Sequence, residues 1–180
     1  MKHLMIMVAF TAAMTCGAGA EETHRPMTEM HGDCSNFAMD LTHEFKIWNS
    51  TGRTEKASVG AVDGTSILST EAKYELALLP HSSVKFVVSP VKDRGGPDKF
   101  SGLVRFEVPK DGVYRVAASN GLWFDIVDGT KLVSESHFEM QTACDSIFKV
   151  VEFPLRAGVV YWLQLNGSIS DKVGIEITQK

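Results

Sequence analysis

The chain has 180 residues, with 18 Lys and Arg against 22 Asp and Glu, a formal net charge of −4 at pH 7 and 44% hydrophobic residues. That length and apolar content suit a single domain. A mildly acidic chain without a basic stripe lacks the electrostatic footprint of a nucleic-acid or anionic-membrane binder.

The first twenty residues read as a cleaved secretion signal. Lys2 and His3 form a short basic start, residues 4–14 an apolar run, and Ala18-Gly19-Ala20 a small-residue cleavage site. The run is too short to span a bilayer, which takes roughly 20 apolar residues. The expected location is periplasmic or secreted. Residues 21–34 are polar, carry Pro26 and Gly32, and read as a flexible leader. Cys16 leaves with the signal, so Cys34 and Cys144 remain as an even pair, which in an oxidising compartment points to one disulfide. Such a bond is worth on the order of 4 to 5 kcal/mol in the chain-entropy picture, given the long loop it closes.

Residues 35–48 read as an amphipathic helix, because Phe37, Leu41, Phe45 and Trp48 recur at spacings of four, four and three. Asp33 or Ser35 can cap it. Residues 49–71 are rich in Gly, Ser and Thr and read as a long surface connection. From about residue 72 the period changes to two. Tyr74, Leu76 and Leu78 alternate with Lys73, Glu75 and Ala77, and Val84, Phe86 and Val88 with Lys85, Val87 and Ser89. A Pro- and Gly-rich loop follows, then Val104, Phe106 and Val108, a turn at 109–112, and Tyr114, Val116 and Ala118. Further strands are expected over 122–127, weakly over 132–140, and over 147–153, 159–165 and 173–178, with turn residues between them. The expected fold is mainly β: an antiparallel β-sandwich or jelly roll over residues 35–180 with one N-terminal amphipathic helix. The connections are too short for parallel βαβ units.

The stretches SGLVRFEVPKDGVYRV and FPLRAGVVYWLQLNG, within residues 100–180, resemble the bacterial pre-peptidase C-terminal domain and related jelly-roll carbohydrate-binding modules. Their shared residues are turn and core positions, so the resemblance implies a fold before it implies a function. The mature chain is also similar to a group of small periplasmic β-sandwich proteins, on the strength of His31-Gly32-Asp33-Cys34-Ser35 and Trp123-Phe124-Asp125-Ile126-Val127.

No catalytic signature stands out. There is no Gly-x-Ser-x-Gly elbow, no His-Glu-x-x-His and no His-x-His. No cofactor is implied. Parity along two strands suggests a ligand face instead. If Tyr161, Leu163 and Leu165 fill the core, Trp162 and Gln164 point outward; if Leu122, Phe124 and Ile126 do, Trp123 and Asp125 point outward. An aromatic ring beside an amide or carboxylate is how β-sandwich lectins hold sugars. The alternative is that both indoles pack beneath the helix. The expectation is therefore an exported, non-catalytic binding or accessory module for a saccharide, cell-wall fragment or protein partner. The rival is a small metal-dependent protein using His24 and His31.

Overall fold

A computed structural model describes residues 27–62 and 64–180. The secretion signal, the first six residues of the leader, Cys16 and His24 lie outside the described residues. In chain order the elements are a 3₁₀ turn (Cys34–Asn36), helix α1 (Thr42–Trp48), and strands β1 (Arg53–Lys56), β2 (Ile67–Leu68), β3 (Lys73–Ala77), β4 (Leu79–Pro80), β5 (Phe100–Glu107), β6 (Gly112–Ala118), β7 (Trp123–Asp128), β8 (Lys131–Val133), β9 (His137–Met140), β10 (Lys149–Leu155), β11 (Val160–Ser168) and β12 (Lys172–Gln179). One sheet runs β1-β3-β12-β6-β10-β9. The other runs β2-β5-β11-β7-β8, with β4 on β5.

The two sheets enclose one apolar core, as their alternation demands. Tyr74, Leu76, Tyr114, Val116, Phe153 and Ile175 meet Phe106, Phe124, Ile126, Tyr161 and Leu163 there. Each such buried side chain contributes about 1.5–3 kcal/mol relative to exposure. Phe106 and Tyr161 stack at 5.5 Å between centroids. The β-sandwich expected from the sequence is thus the fold observed, and Cys34 and Cys144 are disulfide-bonded across 110 residues.

Four local expectations differ. The first is the helix, which spans only Thr42–Trp48 instead of residues 35–48. Glu139, buried on β9, accepts the backbone N–H groups of Ala38 and Met39 at 2.8 and 2.9 Å, and the preceding Phe37 is extended. A carboxylate has taken donors that a longer helix would direct along its axis. The stripe still does its expected work: Leu41 and Trp48 are buried, with Phe37 and Phe45 beside them, against Ala117, Ile147 and Val150 on the outer face of the first sheet.

The second difference is the leader. From Met30 onward it is docked: Met30 is fully buried, Thr142 and Ala143 donate backbone hydrogen bonds to Met30 and Gly32, and Gln141 bonds Gly32, Glu29 and Asn36. Third, residues 49–71 hold two short strands. β1 pairs parallel with β3 and β2 parallel with β5, so the sandwich is not wholly antiparallel. Both are edge strands, and the charges of Arg53, Glu55 and Lys56 protect the exposed β1 edge. Fourth, residues 84–88 alternate like a strand yet belong to neither sheet. They begin a strap that lies on the outer face of the second sheet.

Candidate functional site

The second sheet directs Trp123, Asp125, Trp162 and Gln164 to its outer face, as parity predicted. Their inward neighbours Phe124, Ile126, Tyr161, Leu163 and Leu165 are all buried in the core. The register sets Gln164 opposite Asp125, Trp162 opposite Val127, and Asn166 opposite Trp123. Neither indole lies beneath α1, which covers the other sheet; Trp48 fills that place.

The four residues do not form one open platform. Trp123 and Trp162 are four register positions apart, about 13 Å at a strand's rise per residue. The strap crosses between them and takes up the polar groups. Gln164 accepts from the Val88 N–H at 3.1 Å and donates to the Val88 carbonyl at 3.2 Å. Asp125 accepts from the Val91 N–H at 3.2 Å and from the Trp123 indole N–H at 2.8 Å. Asn166 donates to the Lys92 carbonyl at 3.0 Å. Burial raises the Asp125 carboxyl above its ordinary range, against the pull of those two N–H bonds and of Lys149. Side chains here replace the ladder that an edge strand would supply. Trp162 remains half-buried, with the Arg105 guanidinium 5.7 Å from its ring, and Arg105 is itself held by the Thr65 carbonyl.

Beyond Asn166 the strap turns around the sheet and brings Lys92 and Arg94 to a cavity of about 390 Å³ at the mouth of the sandwich. Phe124 enters it from the second sheet. Phe138, Met140 and Val151 enter from the first, with Phe148 and Trp123 at the sides. Arg94 is fixed by donating to the Gly121 carbonyl at 3.1 Å. Gly167 makes that approach possible: its φ is +78°, and a Cβ there would stand 2.4 Å from the Arg94 carbonyl oxygen.

Lys149 forms the floor. It opens β10 in register with Ala118 and Met140, on the same face as Val151, Phe153 and Leu155, so its side chain runs between the sheets. Its Nζ lies 4.1 Å from the Phe124 centroid and 5.5 Å from that of Trp123, while Lys92 Nζ lies 5.8 Å from Trp123. Burial pushes the Lys149 ammonium down to about 7. Arg94 adds to the push, and Glu135 and Asp125 offset it only in part. Three cations and one carboxylate, Glu135, thus line this mouth in a chain that is acidic overall. Nothing in the strand count announces this site. The one signal is Lys149 itself, a charge in phase with three core residues of its strand.

The outer face of the first sheet carries a different polar group. Arg115 bonds Glu44 of α1 at 3.1 Å and Glu152 at 3.0 Å. Thr178 donates to Glu44 at 3.0 Å, and Lys180 donates to Glu152 at 2.9 Å. Burial works to raise the Glu152 carboxyl, and its hydrogen bonds from Lys180 and Arg115 overcome that and hold it below its ordinary range. Glu176 beside them is fully buried with neither oxygen hydrogen-bonded.

Metal-binding geometry is sparse. Among the described residues, the one cluster of three close His, Cys, Asp or Glu groups is Cys34, Cys144 and Asp145, whose sulfurs are spent on the disulfide. His31, half of the expected histidine pair, bonds Thr142 at 3.1 Å. No helix among the described residues is long and apolar enough to cross a membrane. Neither the protein-family models nor the curated proteins yield a match to this chain, so its function must be read from the pocket and the strap that borders it.

Proposed function

We propose that this is an exported, non-catalytic binding module that holds a small anionic ligand with an apolar, preferably aromatic, body in the cavity at the mouth of the sandwich. The carrying observation is Lys149: an ammonium group lodged between the sheets on two aromatic rings, with Lys92 and Arg94 above it. A buried cation resting on ring faces, with Glu135 and Asp125 offsetting its burial only in part, gains from an incoming carboxylate. The cavity volume lies in the range of small-molecule sites, and its walls are apolar with few polar groups, as such sites generally are. The secretion signal in the sequence and the disulfide support export. Strapped polar groups and separated indoles favour this cavity over a saccharide platform on the open face.

Calorimetry with 2-naphthoate at pH 6 tests the reading. Binding is expected, with 2-naphthamide at least tenfold weaker and Lys149→Met abolishing the response. Equal affinity for acid and amide, or no binding of either, would sink it. The affinity for naphthoate should also fall as pH rises from 6 to 8.5. Lys149 loses its proton near 7 among Lys92, Arg94, Asp125 and Glu135, and the attraction goes with it.

A further inference from the structure

The cavity also holds the components of a covalent site. Among the described residues, Lys149 Nζ has no hydrogen-bond or ion-pair partner; its contacts are the faces of Phe124 and Trp123. Lys92 and Arg94 stand at the rim, on the strap, where they can hold a ligand's anionic group while the rest of the molecule reaches the floor. Lys92 and Lys149 share the Trp123 ring at 5.8 and 5.5 Å, so a flat ligand entering beside that ring comes within reach of both amines.

We infer that Lys149 is a carbonyl-capturing amine: an aldehyde or ketone carried by an acidic, apolar ligand condenses with its Nζ to give an imine inside the cavity. This rests on the reading of the cavity as a site for anionic ligands and adds the reactive group those ligands would bear. The Nζ lone pair attacks the carbonyl carbon, and the C=O π pair moves to oxygen, which takes up a proton as nitrogen gives one up. The carbinolamine then loses its hydroxyl, with the second nitrogen proton, as one water molecule, leaving C=N. No electron is gained or lost from outside, and the sum is amine plus carbonyl giving imine plus water.

Two properties favour this at Lys149 over the other lysines. Its ammonium sits near 7, so about half is neutral and nucleophilic at pH 7. An ordinary lysine near 10.4 is neutral in fewer than about one molecule in a thousand. The apolar walls of Phe124, Phe138, Met140 and Phe148 also limit the water that would hydrolyse the imine.

The test uses the full mature protein with 6-formyl-2-naphthoate at pH 7, trapping by cyanoborohydride, intact mass measurement and peptide mapping. One reduced adduct is expected at Lys149, formed at least tenfold faster than at Lys92 or any other lysine, and suppressed by excess 2-naphthoate. Adducts scattered over surface lysines, in a protein that binds 2-naphthoate, would overturn the inference and leave the binding reading intact. Absence of both adduct and naphthoate binding would overturn both. Labelling of Lys149 that naphthoate does not block would also overturn the inference, because capture would then not run through the cavity. The mapping is done on the unaltered chain, so the result does not depend on Lys149→Met folding well.

Discussion

Lys149 is costly to the folded protein before any ligand arrives. Its ammonium titrates near 7 in the folded chain against 10.5 when unperturbed. Between those values the unfolded chain binds the additional proton, so this residue's share of stability rises with pH through that window. Below it the full penalty stands. Lys149→Met should therefore raise stability at pH 6 by on the order of a few kcal/mol, with the gain shrinking toward zero near pH 10. Urea unfolding at the two pH values measures this. A site that sacrifices stability for a buried charge is where strand parity and binary pattern part company. That is also why the cavity was hard to read: parity correctly turned Trp123, Asp125, Trp162 and Gln164 outward, yet nothing in the spacing of 84–95 showed that a strap would claim their polar groups.

Elements show the same division between pattern and partner. The apolar stripe of residues 35–48 was legible, and so was the face it covers, because apolar periodicity reports what is buried. The length of the helix was not, since Glu139, about a hundred residues away, decides where its N–H groups point. Residues 84–88 have a strand's alternation but no free ladder beside them. Their backbone is bonded by the Gln164 amide. Gln164→Ala should leave the sheets intact and speed hydrogen exchange at the Val88 amide by an order of magnitude or more, whereas the Leu163 amide keeps its protection.

Beneath α1, the buried Glu176 is pushed up to about 8 by burial and by Glu44 and Glu71, with Lys73 opposing. Its ordinary value is 4.5, so the folded chain holds the extra proton between the two. This residue's contribution is present below 4.5 and is lost as pH climbs to 8. Glu176→Gln should flatten the decline in unfolding free energy between pH 5 and pH 8. An unchanged slope would show that Glu176 is not the titrating group.

At the scale of the molecule, the two sheets depend on the C-terminal strands. β12 joins β3 to β6, β10 joins β6 to β9, and β11 joins β5 to β7. Without these three, both sheets fall into separate pieces. Strand periodicity with regular turns made the sandwich legible, but the pairing order was not, because register between remote strands leaves no local mark. The parallel pairings of β1 and β2 were hidden for the same reason, in strands too short and too polar to alternate. The disulfide stabilises this arrangement from the side. Replacing Cys34 and Cys144 together by Ser should lower the unfolding free energy by about 4 to 5 kcal/mol, read as a lower urea midpoint with the far-UV spectrum unchanged.

The span of that bond also orders events during synthesis. At about 5–20 residues per second, Cys34 is made roughly 5–20 s before its partner 110 residues later. When Cys144 does appear, β10, β11 and β12 are still unmade, and neither sheet can close. Nine strands, β1 to β9, are therefore made between the two thiols. Both thiols thus exist before the last three strands do, and the bond can tie the N-terminal segment to the loop at Cys144 before either sheet is complete.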